Sequence, residues 1–170
     1  MNNPKAAGLD SPEGHDEELL PFEKSIGYQI RTTHRLMTRY LQQKITPHGV
    51  TVGMWYFLRV LWRQDGLTQR ELSHAVGTME PTTLTAIKSM ERKGLVRRVK
   101  NGTDRRKINI FLTEQGRALK DELIPLAKEV VDDAVEGFSD RERAAMLEYL
   151  AAIQSNIQEL IEGEAAADVS

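Results

Sequence analysis

Apolar residues recur at intervals of three, four or seven along most of the chain, the spacing of amphipathic α-helices. The first stripe predicts a long helix over residues 18–45 that ends before Pro47 and Gly49. Thr51 is suited to cap a second, aromatic-rich helix that reaches about Arg63. The stripe of the first helix consists of Leu19, Phe22, Ile26, Ile30, Met37, Leu41 and Ile45.

Two short helices separated by a glycine turn follow. Thr68-Gln69-Arg70-Glu71 has the pattern of a capping box and starts the third helix, which ends at Gly77. Pro81 suits the first turn of a fourth helix, which ends at Gly94. This order predicts a helix-turn-helix whose second helix has a polar face. A solvated surface would also explain that face, but threonine disfavours helix, which favours a contact role for Thr82, Thr83, Thr85, Lys88, Ser89 and Arg92.

After Gly94 the apolar period changes from 3.6 to 2. Residues 95–99 and 108–112 are predicted strands, and Asn101-Gly102 between them is a turn signal. A β-hairpin behind a helix-turn-helix makes a winged helix with a basic tip that reaches DNA phosphates or a minor groove. The predicted fold is therefore mainly α with a small β-hairpin wing.

The C-terminal part predicts two more amphipathic helices. Thr113 is suited to cap the fifth, with Leu119, Leu123, Leu126, Val130 and Ala134 inward, and Ser139 to Glu142 forms a second capping box before the sixth. Together with the first helix they carry more apolar surface than a small winged domain covers, which indicates a homodimer, although an intramolecular bundle is the alternative. The predicted divisions are a disordered acidic tail (1–17), one domain (18–162) with a winged helix-turn-helix at 51–113 and dimerisation helices at 18–45 and 113–162, and a C-terminal tail (163–170).

Charge is unevenly distributed. The 170 residues carry a net charge of −2, but residues 88–113 hold nine basic and two acidic side chains. A local field of this kind attracts polyanions, although a solvated basic face is the alternative. The chain has no cysteine, which excludes disulfides and thiol chemistry, and no apolar run of membrane-spanning length. We therefore expect a cytoplasmic protein.

Several short motifs carry a family resemblance. They are Gly66-Leu67-Thr68-Gln69-Arg70-Glu71-Leu72, Thr82-Thr83-Leu84-Thr85, Met90-Glu91-Arg92-Lys93-Gly94-Leu95-Val96, Asp104-Arg105-Arg106 and Leu112-Thr113-Glu114-Gln115-Gly116. Over about residues 20–160 the chain resembles the MarR family of transcriptional regulators. The resemblance implies a recognition helix in the major groove, a wing arginine in the minor groove, and a homodimer made by the terminal helices.

By this resemblance, Arg105 lies at the wing tip, braced by Asp104 and Arg106. The full set of predicted DNA contacts is Thr68, Gln69, Pro81, Thr82, Thr83, Thr85, Lys88, Ser89, Arg92, Asp104, Arg105 and Arg106. The resemblance also implies an effector cleft among helices 1, 2 and 5, lined by Arg31, His34, Met37 and Trp55. Core packing is an equally good explanation of Trp55, Tyr56 and Trp62, and a core or surface role remains open for His34.

Catalytic signatures are missing from the sequence. None of the four histidines has zinc-ligand spacing, and no nucleophile-elbow, phosphate-loop or dinucleotide motif occurs. We predict a protein that is not an enzyme and uses no cofactor or metal. The favoured hypothesis is a homodimeric regulator, a repressor of a pseudo-palindromic operator that is released by a small aromatic or acyl ligand, including acyl thioesters. The alternative is a winged-helix adaptor that binds proteins without specific DNA binding.

Overall fold

The computed structural model describes residues 21–167, with side chains described through residue 164. A helical scaffold and a small antiparallel sheet make up this region, as predicted. The helices are α1 (Ile26–Ile45), α2 (Val52–Arg63), α3 (Gln69–Val76), α4 (Glu80–Arg92), α5 (Glu114–Ala134) and α6 (Asp140–Ala167), and the strands are β1 (Leu67–Thr68), β2 (Val96–Lys100) and β3 (Ile108–Leu112). The predicted tail at residues 1–17 lies outside the described residues.

The two ends of the helical region differ from the prediction. The first helix was expected over residues 18–45, but α1 begins at Ile26 after a single 3-10 turn. Ser25 has an extended backbone and accepts a hydrogen bond from the Tyr28 amide at 3.4 Å, which makes it the N-cap. At the other end α6 continues to Ala167, past residue 162, because its last residues are mostly alanine and glutamate, which favour helix.

Residues 51–113, which we call the head, contain the helix caps that the sequence predicts. The Thr51 hydroxyl accepts from the Met54 amide at the start of α2, and both halves of the capping box between Thr68 and Glu71 are present. Gly77 ends α3 with φ of 71°, in the left-handed region that glycine adopts without steric cost. Thr51, Thr68 and Gly77 thus set the bounds of α2 and α3 through local backbone chemistry.

A third strand was not predicted. β1 is only two residues long and pairs with β3, so the sheet order is β1-β3-β2. The turn before it requires glycine, because Gly66 has φ of 78° and a Cβ there would lie 2.5 Å from the Phe111 ring. The wing turn differs from expectation: Gly102 does not have a positive φ, so the hairpin closes through a longer loop, residues 101–107.

The hydrophobic core is centred on α2. Trp55, Leu58 and Leu61 of this helix are almost fully buried against α1, the helix-turn-helix, the sheet and α5. Burial of aliphatic side chains contributes about 1.5–3 kcal/mol each relative to exposure, so this packing holds the head on the scaffold. The other buried apolar residues are Leu41, Ile45, Val50, Met54, Phe57, Leu72, Ile87, Met90, Leu95, Val96, Ile110, Leu112, Leu119, Leu123 and Val130.

The scaffold helices α1 and α5 run antiparallel, and α1 together with the 3-10 turn that follows it (Thr46–His48) is joined to α5 by three polar pairs. The Tyr40 hydroxyl donates to Asp133 at 2.7 Å, the Lys44 ammonium donates to Glu129 at 2.6 Å, and the His48 ring nitrogen lies 2.7 Å from a Glu122 oxygen. The inward stripe of α5 is confirmed at Leu119, Leu123 and Val130, with Leu126 half-buried. Ala134 was predicted inward but is exposed, because it is the last residue of α5.

Apolar side chains remain exposed on the terminal helices. The first part of the predicted α1 stripe is open to solvent in the single chain, and so is one side of α6. The exposed large apolar residues of these segments are Phe22, Ile26, Tyr28, Ile30, Leu36, Leu147, Tyr149, Ile157, Leu160 and Ile161. Ser139 and Glu142 form the predicted capping box at the start of α6, with three hydrogen bonds between them.

Candidate nucleic-acid interface and ligand cleft

Helix α4 presents a polar face to solvent. Pro81 lies in its first turn, and Ile87 and Met90 bury the opposite side in the core. The Thr85 hydroxyl donates to the Pro81 carbonyl at 3.0 Å, and the side chain is exposed. Of the predicted contact residues on this helix, Pro81, Thr82, Thr85, Lys88 and Arg92 are exposed and Ser89 is half-buried.

Thr83 does not belong to that face, and its assignment as a DNA contact is wrong. The side chain is fully buried between α3 and α4. The Ser73 hydroxyl donates to the Thr83 oxygen at 2.7 Å, and the Thr83 hydroxyl donates to the Met79 carbonyl at 3.3 Å. A buried hydroxyl needs such partners, so Thr83 fixes the angle between the two helices of the helix-turn-helix.

Thr68 and Gln69, at the start of α3, are both half-buried. The Thr68 hydroxyl donates to the Glu71 carboxylate at 2.7 Å, and the Thr68 amide donates to the same oxygen at 2.8 Å. These hydrogen bonds, with the hydroxyl contribution the larger, lower the pKa of Glu71. The Thr68 proton is therefore already used in the helix cap and is not available to a phosphate.

The wing tip carries an exposed arginine between two restrained residues. The Asp104 carboxylate accepts from the Arg106 amide at 3.0 Å and from its Nε at 3.3 Å. These two hydrogen bonds, the amide first, lower the pKa of Asp104. Arg105 itself is exposed at the tip. Arg106 is also open to solvent, so the predicted bracing pair forms while leaving both guanidinium groups accessible.

Positive charge is concentrated on α4 and on the β2–β3 wing that follows it. Within residues 88–113, all of which are described, Arg106 with Asp104 is the one ion pair to a described partner. The remaining cations have no carboxylate to neutralise them there, which favours contact with a polyanion. The exposed cations are Lys88, Arg92, Lys93, Arg97, Lys100, Arg105, Arg106 and Lys107.

Two adjoining cavities lie between α1, α2 and α5. One, of about 210 Å³, is lined by His34, Met37 and Trp55, and the other, of about 420 Å³, is lined by Trp55, Arg59 and Lys128. The cavities share Trp55 and Arg59, so they form one continuous cleft, which we call the α1–α2–α5 cleft. Three of the four predicted effector residues therefore meet.

Arg31 is the exception and does not line this cleft. The helices α1 and α5 are antiparallel, Tyr40 is level with Asp133, and α5 ends at Ala134, so Arg31 lies beyond the end of α5. Sequence reasoning missed the two cations of the cleft. Arg59 follows Trp55 by one helical turn, and its guanidinium lies 5.7 Å from the Trp55 ring centroid, a spacing that the sequence contained.

The other two aromatic residues of α2 have different roles. Trp62 packs edge-on against Trp55, with ring centroids 5.7 Å apart, and its indole N–H donates to the Gly116 carbonyl at 2.8 Å. Trp62 is thus a structural link from α2 to α5. Tyr56 is exposed and lines the smaller cavity.

Other kinds of site are not found in the described region. Residues 21–167 contain no group of three or more histidine, aspartate or glutamate side chains arranged to hold a metal ion. None of the helices in this range is long and apolar enough to cross a bilayer.

A helix-turn-helix whose second helix has an exposed polar face, followed by a basic β-hairpin, defines a winged-helix DNA-binding fold. Residues 50–108 match the model of the MarR family. A MarR transcriptional regulator from Methanosarcina mazei Go1 is 32% identical, with a TM-score of 0.73 over 79% of this chain and 97% of that one. The chain therefore belongs to the MarR family of transcriptional regulators.

Two further proteins to which the chain is similar are consistent with a DNA-binding transcriptional regulator. The HTH-type transcriptional regulator TtmR of Methylorubrum extorquens (strain PA1) is 27% identical over 88% of this chain and 72% of its own length. The MepR–DNA complex of S. aureus is 28% identical, with a TM-score of 0.73 over 78% of this chain and 98% of that one.

Proposed function

We propose that this protein is a homodimeric repressor that binds a pseudo-palindromic operator and is released by a small organic anion. The observation that carries the proposal is the exposed polar face of α4 beside the exposed Arg105 of the wing. The similarity of the chain to MepR, whose structure was solved with DNA, supports DNA binding. Transcriptional regulation follows from membership of the MarR family.

The DNA contacts divide into two kinds. Residues of α4 enter the major groove, where the Thr85 methyl and the Lys88 ammonium read base edges and phosphates. Arg105 enters the adjacent minor groove and reads its width and potential. Thr83 and Thr68 are left out because one is buried and the other caps α3. The proposed set is Gln69, Pro81, Thr82, Thr85, Lys88, Ser89, Arg92, Arg105 and Arg106, with Asp104 as the brace.

Dimerisation through α1 and the C-terminal helices explains the exposed apolar side chains there. Phe22 is 70% exposed, Leu160 67% and Leu147 66%, and a lone water-soluble chain rarely leaves so many large apolar groups on two helices uncovered. An intramolecular bundle was the alternative, but Leu147, Tyr149, Ile157, Leu160 and Ile161 of α6 are exposed in the described chain. A two-fold dimer then presents two recognition helices to the two halves of a palindrome.

The effector proposal rests on the α1–α2–α5 cleft. Trp55 and Met37 offer apolar contact, and Arg59 and Lys128 place two cations at the larger cavity, which is also lined by Asp132, a carboxylate paired with Arg143 at 3.5 Å. This combination suits a flat aromatic carboxylate, and an acyl thioester with an anionic carrier presents the same chemistry. Such a ligand releases DNA only if it binds better to the conformation whose recognition helices are wrongly spaced for the operator. Operator DNA must then reduce the affinity of the protein for the ligand by the same factor.

Selection of duplexes from a random-sequence library tests the DNA-binding part. We expect enrichment of a two-fold symmetric sequence, with an affinity that falls steeply as salt rises. The competing adaptor function predicts no enriched sequence and no salt-dependent duplex binding. Sedimentation at the concentrations used for binding checks the dimer, and a monomer that binds one half-site would overturn it.

Titration of aromatic carboxylates and acyl thioesters against the complex with the selected duplex tests release. Lys128→Ala should reduce the response to ligand while leaving ligand-free DNA affinity nearly unchanged, because Lys128 is exposed and lies on neither α4 nor the wing. Equal ligand affinity for the free and the DNA-bound protein would contradict the coupling. Loss of bare DNA affinity in Lys128→Ala would mean that the residue acts on the fold and not on ligand binding.

A further inference from the structure

We propose that Asn101 and Asn109 are positioning residues for DNA binding, which hold the wing loop so that Arg105 is presented at its tip. The inference rests on the proposed function, because it requires Arg105 to contact DNA. Neither asparagine is on the exposed face of the wing, and both are half-buried. Their side chains form a chain of hydrogen bonds from the base of the head to the loop, which we call the asparagine relay.

The relay begins at the turn between α2 and β1. The Asn109 side-chain amide donates to the Gly66 carbonyl at 2.6 Å, across the sheet from β3. The backbone of that turn is itself fixed, because the Gly66 amide donates to the Ile110 carbonyl and to the Asp65 carboxylate, both at 3.0 Å. Asn109 is therefore hydrogen-bonded to the restrained backbone of the turn at Gly66.

The second link crosses from β3 to the residue that follows β2. The Asn101 side-chain NH₂ group donates to the side-chain oxygen Oδ1 of Asn109 at 2.9 Å. The Asn101 oxygen then accepts three hydrogen bonds: from the Thr103 amide at 2.9 Å, the Thr103 hydroxyl at 2.8 Å and the Asp104 amide at 3.0 Å. One carboxamide thus holds the first half of the loop.

The groups at the two ends of the relay determine how the Asn101 and Asn109 carboxamides are oriented. The Thr103 and Asp104 backbone amides are donors and the Gly66 carbonyl is an acceptor, so only one orientation of each asparagine satisfies all contacts. A flip of Asn101 would place its NH₂ group against those two amides. Aspartate at either position would lack the NH₂ donor, so the relay requires two carboxamides.

The loop conformation explains why the relay matters for Arg105. The two residues after Arg105 are tied back to Asp104, the residue before it. The Arg106 amide donates to the Asp104 carboxylate, and the Lys107 amide donates to the Asp104 backbone carbonyl at 2.9 Å. Arg105 is therefore held between a half loop fixed by Asn101 and a half loop fixed by Asp104. Because an ordered loop does not lose conformational entropy on binding, the arginine reaches the minor groove at a smaller cost.

A double-mutant cycle with Arg105 tests the relay. The probe is the duplex selected by the wild-type protein, and Asn101→Ala and Asn109→Ala are each measured with Arg105 and with Arg105→Ala. We expect each asparagine variant to weaken binding about tenfold when Arg105 is present, since each loses more than one hydrogen bond. When Arg105 is already alanine, the same changes should alter affinity by less than about twofold.

Thr103→Val is the matched control in the same loop. It removes the hydroxyl donor to Asn101 but leaves the two backbone donors, so the affinity should stay within about twofold of wild type. Asn101 lies outside the strands, so its variant retains the sheet even if Asn109→Ala unfolds. Unfolding curves and sedimentation of each variant establish that a folded dimer is measured.

Each other outcome overturns the relay. Equal losses of DNA affinity with and without Arg105 would show that the asparagines act on general stability. Unchanged affinity in both asparagine variants would show that DNA binding does not require the loop to be ordered by these side chains. If Arg105→Ala binds as wild type, the wing contact of the proposed function fails, and the relay fails with it. If no duplex is selected at all, the proposed function fails before the cycle begins.

Discussion

Replacement of Thr83 separates a packing role from a base-reading role within one helix. Thr83→Val keeps the shape of the side chain and removes only the hydroxyl that contacts Ser73 and Met79. Because Thr83 is fully buried, we expect a loss of stability and no change in the base preference. Thr85→Ala, two residues away on the exposed face, should show the opposite pattern.

The magnitude follows from the partners that remain. In Thr83→Val the single Ser73 hydroxyl proton can turn to the Gln69 carbonyl, 3.0 Å away, so no side-chain donor is left unpaired. The net loss is then about 1 kcal/mol, the usual contribution of a neutral hydrogen bond. Thr83→Ala also removes a buried methyl group, for a total of about 2–3 kcal/mol. For a protein of this size about 1 kcal/mol corresponds to about 2–4 °C in Tm.

Denaturant unfolding at a fixed protomer concentration measures the loss, because the stability of a dimer depends on concentration. The Ser73→Ala and Thr83→Val double variant should lose less than the sum of the single variants, since both partners of one contact are then apolar. Selection from the random library gives the base preference in parallel. A changed preference in Thr83→Val without loss of stability would refute the buried assignment and return Thr83 to the DNA-reading face.

Two further predictions concern the interface and the capping box. Leu160→Asp should convert the dimer to monomers in sedimentation, whereas Gln154→Asp on the same helix should not; an undisturbed dimer in both would move the interface elsewhere. The lowered pKa of Glu71 means that its contribution to stability is present above the ordinary carboxylate range and is lost as the pH falls through the folded value. Glu71→Gln should therefore flatten that part of the stability profile, and an unchanged profile would contradict it.

Features that depend on local chemistry were predictable from the sequence. The caps at Thr51, Thr68 and Thr113 were confirmed because each is a contact within three residues. The helix-turn-helix and the wing followed from spacing and from a change of period. The position of Arg105 at the wing tip came from the family resemblance, and the residue is exposed there.

Features that depend on packing were not predictable in the same way. A helical stripe does not say where the boundary between buried and exposed falls, and Thr83 lies just inside it. β1 has two residues and no period of its own, so its pairing with β3 appears only in three dimensions. Arg59 and Lys128 lie on separate helices, and only the fold places both at one cleft.

Gly116 shows how such a packing requirement can be tested. It is buried at the start of α5, and a Cβ added there would lie 2.1 Å from the Leu95 carbonyl oxygen. That oxygen is backbone and already accepts the Thr113 amide at 3.1 Å, so it has little freedom to move.

Gly116→Ala must therefore separate α5 from the sheet, with a loss of about 3 kcal/mol or more, comparable to severe overpacking. Gly102→Ala is the matched control, because Gly102 has open space and no positive φ, and a compatible alanine changes stability by about 1 kcal/mol or less. Unfolding curves of the two variants compare them directly. A stable Gly116→Ala protein would mean that α5 does not approach Leu95 this closely, whereas a destabilised Gly102→Ala protein would mean that the wing turn needs glycine after all.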